Sequence, residues 1–386
     1  GLVVLTALYT IFGGMKSVLY TSVLQTPILL LGSLIILVLG FKELGGWDEM
    51  MRVCGAVTVN DYGDTMTNLI RSNDDANFPW LGALIGSAII GFWYWCTDQF
   101  IVQRVLSGKN EMEARRGTIF GAYLKLLPVF LFLIPGMIAF ALHQKYIGAG
   151  GEGFLPMLAN GTANADAAFP TLVAKLLPAG VKGLVVCGIL AALMSSLASL
   201  FNSSAMLFTI DFYKRFKPET PEKKLVGIGQ IATIVIVVLG ILWIPIMRSV
   251  GDVLYTYLQD VQSVLAPGIA AAFLLGICWK RTSAQGGMWG LISGMVIGLT
   301  RLGAKVYYSN AGEVADSTFK YLFYDMNWLF FCGWMFLFCI IVVIVVSLAT
   351  EAPTAEKIQG LVFGTATKEQ KAATRASWNH WDIIHT

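Results

Sequence analysis

The chain has 386 residues, of which 56% are hydrophobic and only 13% are charged, and its formal net charge is +3. An ordinary soluble domain has roughly 25% charged residues, so this composition argues against a large soluble enzyme and indicates a membrane protein. We therefore expect a lipid bilayer, and not a nucleic acid, as the main partner of the chain.

Long apolar runs recur along the sequence, and a helix of about 20 apolar residues is needed to cross a bilayer core of roughly 30 Å. We predict eight full membrane spans and a ninth, partial one at residues 1–14. The full spans are residues 18–41, 80–105, 118–142, 184–212, 225–247, 253–279, 287–308 and 328–348. Residues 1–349 are thus predicted to form an all-α transmembrane core, followed by a polar tail at 350–386.

Basic residues are concentrated in alternate connecting segments. They include Lys16, the cluster at 104–116, the linker 213–224 and the pair at 280–281, whereas segments on the other side, such as 42–79, are longer and poorer in Lys and Arg. By the positive-inside rule the basic segments and the tail are cytoplasmic. The pattern predicts a multi-pass protein of the cell membrane.

The stretch WYWCTDQFIVQR at 93–104 ends one of these runs with three aromatic residues and then places Asp98 and Gln99 where hydrocarbon should continue. Charged groups and unmet backbone groups are costly in lipid, so polar residues at such a depth normally line a cavity or a solute path. This segment turns the prediction of a membrane protein into a hypothesis of transport.

Glycine and proline occur inside several predicted spans. These residues are Gly91, Pro128, Pro135, Gly188, Pro245, Pro267 and Gly268. Broken helices free carbonyl groups and helix ends to bind ions and polar solutes in many secondary transporters. Glycine and proline are also common in membrane helices generally, so each predicted break has that simpler explanation as well.

Polar residues in two further spans are candidates for binding a solute. Lys125 lies seven residues into its span, where it either reaches the cytoplasmic interface or points a hydrogen-bond donor into the bundle. Gln259, Asp260 and Gln262 interrupt another apolar run. An amide offers donors and acceptors in one head group, which suits a polyhydroxyl solute, although hydrogen bonds between helices would explain these residues too.

The small-residue run AALMSSLAS at 191–199 has two explanations. Close helix packing accounts for it directly. Ser195 and Ser196 also offer hydroxyl oxygens, and Ala192 offers a carbonyl, which together form the kind of oxygen set that a hard cation prefers. Taken alone, the run is better explained by packing.

In combination these motifs resemble the solute:sodium symporter family, and specifically its sodium/glucose cotransporter branch. The resemblance covers nearly the whole chain. Its motifs are LYTIFGG (8–14), WYWCTDQ followed by QRVLSGKN (93–110), YLKLLP (123–128), MSSLASLFNSSAMLFTIDFY (194–213), YLQ (257–259) and LGICWKR (275–281).

The resemblance implies a core of two inverted five-helix repeats that works by alternating access. It implies that Tyr94 closes the sugar site from the inside, with Trp95 beside it, that Lys125 and Gln259 bind sugar hydroxyls, and that Tyr255 is the outer aromatic gate. It also implies sodium ligands, with a further residue near a second proposed sodium site. The sodium ligands are the Ala192 carbonyl, Ser195 and Ser196, and the further residue is Ser199.

Three features depart from the family pattern. Gly91 stands where relatives carry an Asn or Thr that touches the sugar, and Ser22 stands where relatives carry an acid on the cation path. The chain also opens inside an apolar run, so we expect that the family's first core helices precede Gly1 and that its last helix follows Thr386. Those first helices supply the remaining sodium carbonyls and part of the sugar site in the family.

The resulting hypothesis is sodium-driven symport of a neutral, glucose- or galactose-like sugar, with sodium as the coupling ion and no organic cofactor. Symport of another small solute, such as an inositol, an amino acid or a carboxylate, is the alternative of the same class. A transporter-like sensor would need a longer tail. A membrane enzyme would need clustered His, Asp or Glu, whereas the acids noted inside the spans are the scattered Asp98, Asp211 and Asp260.

Overall fold

A computed structural model describes residues 2–158, 161–248, 254–310 and 315–385. The side chains of some residues inside helices, among them Ser22 and Tyr255, lie outside the described set. Across the described ranges the chain is helical apart from its connecting segments, and the extended pairing there is limited to isolated single-residue bridges, such as the one between Met157 and Ala163. The predicted all-α class is confirmed.

The helices follow one another as α1 (Leu2–Leu44), α2 (Trp47–Gly55), α3 (Trp80–Cys96), α4 (Gln99–Leu106), α5 (Glu111–Pro128), α6 (Ile134–Gly148), α7 (Ala168–Leu176), α8 (Ala179–Met206), α9 (Lys214–Phe216), α10 (Glu222–Arg248), α11 (Leu254–Cys278), α12 (Ala284–Asn310), α13 (Thr318–Lys320), α14 (Trp328–Ala349), α15 (Ala355–Ile358), α16 (Lys368–Ala376) and α17 (His380–Ile384). Segments of π-helix continue α5, α8 and α13 at Val129–Leu133, Leu207–Tyr213 and Tyr321–Asp325.

Within the described residues, six helical segments are long and apolar enough to cross a membrane, or seven if one bent pair counts as a span. The six are Gln25–Leu44, Glu111–Gly148, Ala179–Phe216, Glu222–Leu242, Leu258–Cys278 and Trp328–Ala349. The bent pair is α3 with α4, whose axes meet at 48°.

Three predicted spans differ from this arrangement. Residues 1–14 and 18–41 lie in the single helix α1, because glycines such as those at 13 and 14 lower helix stability by only about 1 kcal/mol each and need not end a helix. The predicted span 287–308 lies in α12, which has 27 residues. Its glycines and the cations Arg301 and Lys305 keep α12 less apolar than the six spanning segments.

The chain divides into two compact units by its internal contacts. The first unit comprises residues 1–57, 65–67 and 122–253. In it α1 packs along α8, and a Cβ at Gly188 would lie only 2.9 Å from Ile28 Cγ2. Ile138, Leu142 and Leu172 are fully buried in its core, so small residues and branched apolar residues together hold α1, α6, α7 and α8.

The second unit comprises residues 58–64, 68–121 and 254–386, and it packs α3, α11, α12 and α14 together. Here a Cβ on Gly294 of α12 would lie 2.9 Å from Gly268 Cα of α11. This close approach is typical of membrane helices that meet through small residues. Val264, Met335 and Cys339 fill the core beside it.

The tail that follows α14 is folded against the same unit. The Phe363 amide donates to the Ile277 carbonyl at the end of α11 over 2.7 Å, and Arg116 Nε donates to Asp382 Oδ1 over 3.2 Å near the start of α5. Helix α5 passes from the second unit to the first at Gly121. The tail therefore fixes the end of α11 to the beginning of α5.

Candidate functional site

The predicted polar interruption at 93–104 is a true break between α3 and α4. Thr97 leaves the helical conformation with φ −127°, and Asp98 caps α4 by accepting the Phe100 amide over 3.0 Å. The Trp93 carbonyl accepts the Thr97 hydroxyl over 2.7 Å and the Thr97 and Asp98 amides over 3.0 and 3.1 Å. Asp98 therefore has a structural role as a helix cap, which satisfies amide groups that the break leaves open.

The prediction of a break at Gly91 is wrong. Gly91 lies inside the continuous helix α3, and nothing lies within 4 Å of a Cβ added there. Helix α8 likewise continues through Gly188, and α11 continues through Pro267. Glycine lowers helix stability without ending a helix, whereas a side-chain cap such as Asp98 stabilises a new helix start.

The aromatic candidates end α3 as a chain of touching rings. The Trp93 and Tyr94 ring centroids are 6.2 Å apart, and Tyr94 meets Trp95 edge-on at 5.2 Å. Tyr94 is half-buried and Trp95 is 46% exposed. Rigid rings with a polar tip can cover the apolar face of a solute and still bond its hydroxyls.

Gln259 lies on α11 in the same unit, and its side chain is half-buried. Helices α3 and α11 pack side by side through Ile89, Ile90, Ala266 and Ala270. The second unit therefore places the helix of Tyr94 and Trp95 beside the helix of Gln259. The predicted gate residue Tyr255 lies outside the described side chains.

The remaining candidates are in the first unit. Lys125 on α5 is exposed there. On α8, Ser195 and Ser199 are buried, with 5% and 0% exposure, whereas Ser196 is exposed and Ala192 is half-buried. Residues four apart share a helix face, so Ser195 and Ser199 lie on the packed face, while Ala192 and Ser196 lie one above the other along its edge.

The oxygens of Ala192, Ser195 and Ser196 fall within little more than one turn of α8. Hydroxyl and carbonyl oxygens are the donor type that suits a hard cation. Among the residues that the structure describes, His, Cys, Asp and Glu form no cluster of three or more that could hold a metal ion. These three oxygens, here called the oxygen edge of α8, are the candidate ligands for a monovalent cation.

Reasoning from the sequence missed two charged residues inside α12. Arg301 is fully buried and Lys305 is 31% exposed, and both face the Asp260 carboxylate of α11. A signal for this cluster was present in the sequence. It consists of two cations four residues apart in one apolar run and an acid in the preceding run.

Comparisons with known proteins agree with these motifs. The profile of the sodium:solute symporter family matches residues 1–294. The human sodium/myo-inositol cotransporter 2 (Homo sapiens) is 36% identical over 376 residues, which cover 95% of this chain and 56% of that protein. The sheep sodium/glucose cotransporter 1 (Ovis aries) is 38% identical over 366 residues, or 91% of this chain and 55% of that protein.

A solved structure has the same fold. It is a Na⁺-coupled sialic acid symporter in a substrate-bound, outward-open state, which superposes with a TM-score of 0.67 at 22% identity and covers 92% of this chain and 66% of that one. The chain spans a little more than half the length of the two cotransporters. Its helical architecture is that of a sodium-coupled membrane symporter.

Proposed function

Because this chain belongs to the sodium:solute symporter family, we propose that the protein is a sodium-driven symporter of a neutral sugar or polyol. The single observation that carries this proposal is the family match over residues 1–294, which includes every proposed ligand position from Tyr94 to Gln259. The protein is a multi-pass membrane protein of a transporter family, so no catalytic residue and no organic cofactor are assigned.

The solute is proposed to be bound by aromatic rings and neutral hydrogen-bonding groups. Tyr94, with Trp95 beside it, closes the site on the inner side, and Tyr255 closes it on the outer side. Gln259 offers both a donor and an acceptor to adjacent hydroxyls, while Lys125 offers donors alone. The half-buried position of Gln259 supports this role, because water would compete with the solute for the hydrogen bonds of a fully exposed amide.

Sodium is proposed to be bound at the oxygen edge of α8. The Ala192 carbonyl, Ser195 and Ser196 are the ligands, and Ser199 lies near a second sodium position. The one-turn spacing of these oxygens supports the assignment.

A neutral solute is favoured over an anionic one. An anionic solute is normally met by an Arg or by a helix N-terminus. The buried Arg301 donates to the Leu322 and Met326 carbonyls and faces Asp260, so its Nη1 and Nη2 groups are already directed at protein groups. The proposed ligands Gln259 and Tyr94 suit hydroxyl groups instead.

A cyclic polyol is the second candidate for the solute. The relative that is 36% identical over 95% of this chain is a sodium/myo-inositol cotransporter, and the relative that is 38% identical is a sodium/glucose cotransporter. A hexose and an inositol both present a ring of hydroxyls, so the same amide and aromatic groups can bind either of them.

Coupling is proposed to arise from differential affinity. Sodium binds more tightly to the outward-open state, which raises the affinity for the solute, and by linkage the solute raises the affinity for sodium equally. Inward opening then releases both. The membrane potential adds about 2.3 kcal/mol per charge for each 100 mV, which drives accumulation.

Competition in proteoliposomes tests the solute class. The full-length protein is reconstituted with an inward sodium gradient, and uptake of radiolabelled glucose is measured against unlabelled galactose, myo-inositol, glutamate and sialic acid. We expect galactose or myo-inositol to compete and the two anions to leave uptake unchanged. Transport of only the anions, with no glucose or myo-inositol uptake, would contradict a neutral solute.

A further inference from the structure

Asp260 is held by two cations of the neighbouring helix. Lys305 Nζ donates to Asp260 Oδ2 over 2.5 Å, and Arg301 Nη2 lies 3.7 Å from Asp260 Oδ1. The Asp260 side chain is only 14% exposed and the Arg301 side chain is completely buried. The cluster therefore joins α11 to α12 through charges that have little contact with solvent.

Arg301 is itself fixed by three other groups. Its Nη1 donates to the Leu322 carbonyl over 3.3 Å and its Nη2 donates to the Met326 carbonyl over 2.8 Å. Its guanidinium carbon also lies 4.0 Å from the centre of the Phe331 ring on α14. A planar guanidinium that is held by two carbonyls and a ring has little freedom to move. Asp260 is thus tied to a rigid anchor.

The charges of this cluster do not balance, because two cations face one acid. Removing one partner of a buried pair leaves an uncompensated charge, which is far more damaging than removing both. Loss of Asp260 would leave Arg301 and Lys305 facing each other. Loss of Lys305 would leave the balanced pair of Arg301 and Asp260.

We infer that Asp260 is a positioning residue for solute binding, which fixes the rotation of α11 so that the adjacent Gln259 amide points into the solute site. Successive side chains on a helix point about 100° apart. Fixing the rotation of α11 at Asp260 therefore also fixes the direction in which the Gln259 side chain points. This inference rests on the proposed function, in which Gln259 bonds the solute. The two cations on α12 act through Asp260 and do not bind the solute.

The test compares solute affinity and maximal rate in reconstituted full-length variants. Asp260→Asn should raise the half-saturating solute concentration about tenfold, the change produced by 1.4 kcal/mol, with a smaller change in maximal rate. The double variant Asp260→Asn/Lys305→Met should be no more impaired in solute affinity than Asp260→Asn, because Lys305 acts through Asp260 and the effects of residues in one charge network are not additive. Asp260→Glu, which keeps the charge, should remain closest to wild type.

Lys320→Met is the matched control, because it removes the ion pair of Lys320 with the 94% exposed Asp316 elsewhere in the same unit. It should leave both transport constants unchanged. Lys305→Met keeps the pair of Arg301 with Asp260, so it is the variant to measure if Asp260→Asn is not monodisperse in detergent. It should raise the half-saturating solute concentration about twofold to threefold, as expected for the loss of one contact in a network.

Three outcomes would overturn the positioning role. They are a fall in maximal rate with unchanged solute affinity, a double variant whose loss of affinity equals the product of the losses in Asp260→Asn and Lys305→Met, and, where Asp260→Asn does not fold, an unchanged affinity in Lys305→Met. A wild-type protein that takes up no solute would instead overturn the proposed function, and the positioning role with it. Uptake by the wild type therefore separates the two failures.

Discussion

Gln259 is the half-buried amide on which the proposed solute binding most depends. Gln259→Ala would leave solute hydroxyls and facing polar groups unpaired, at a cost of about 1–3 kcal/mol per buried group. That corresponds to a rise of about one to two decades in the half-saturating solute concentration. Radiolabelled uptake over a range of solute concentrations measures this change, and sodium affinity without solute should change far less.

Gln262 is the internal comparison for Gln259, because it is also half-buried and lies three residues further along α11. We expect Gln262→Ala to have the smaller effect on solute affinity. If Gln262→Ala abolishes affinity and Gln259→Ala does not, the register assigned to α11 is wrong, and so is the positioning role of Asp260.

Ser196 is exposed on α8. Removing its hydroxyl should therefore delete a candidate ion ligand with little loss of helix packing. Ser196→Ala should raise the sodium concentration for half-maximal transport by up to about tenfold, because a lost oxygen ligand removes on the order of 1 kcal/mol. Sodium titration of uptake measures it, with folding checked by size-exclusion chromatography.

Ser203 on the same helix is the matched control for Ser196. It is buried, and its hydroxyl donates to the Leu200 carbonyl over 3.0 Å. Ser203→Ala should leave the sodium requirement unchanged. Equal shifts from the two variants would mean that the serines of α8 serve helix packing and are not ligands.

Among the elements, the segment between α2 and α3 is organised by a small network of amide and carboxylate groups. Asn60 Nδ2 donates to Asp64 Oδ2 over 2.8 Å and to Asp75 Oδ2 over 3.0 Å. The Asn60 bond, followed by the Ser72 amide, lowers the pKa of Asp64. Burial alone would raise the pKa of Asp75, but amide hydrogen bonds, chiefly from Phe78, bring it below the usual value.

These lowered pKa values predict acid sensitivity of the segment. A carboxyl whose pKa is depressed on folding stabilises the fold above its unfolded pKa of about 3.9, and the stabilisation is lost as pH falls through the folded value. We expect the protection factors of residues 58–78 in amide hydrogen exchange, which correct for the pH dependence of intrinsic exchange, to be constant from pH 7 to 5 and to fall below about pH 4. Asn60→Ala should move this fall to higher pH, and an unchanged midpoint would contradict the role of Asn60.

The tail is the second element with a direct test. The Arg116–Asp382 pair is partly exposed, and such pairs contribute about 0–1 kcal/mol. Arg116→Ala should therefore increase the rate of limited proteolysis in residues 350–385 by up to about fivefold. Arg115→Ala is the control, since Arg115 pairs with Glu111 within α5. Equal protection in both variants would show that the pair does not hold the tail.

On the scale of the whole molecule, hydropathy was sufficient to predict the class of the fold and most of its long helices. It failed where local hydrogen bonding decides the outcome, because Asp98 and Thr97 set a break between α3 and α4 whereas α3 continues through Gly91. It also missed the partners of Asp260, since Arg301 and Lys305 are brought to it by the packing of α12 on α11. The resemblance to a family assigned roles, such as that of Tyr255 as the outer gate, which neither period nor composition could identify.

Sodium-dependent accumulation is the measurement that tests the central claim most directly. Full-length protein in proteoliposomes is given radiolabelled glucose or myo-inositol with an inward gradient of sodium or, in the matched sample, of choline. A sodium-coupled symporter must accumulate solute transiently above its external concentration with sodium, and a negative internal potential must increase that accumulation. We predict this overshoot with sodium and its absence with choline; equal uptake in the two gradients, with no accumulation above equilibrium, would contradict the account.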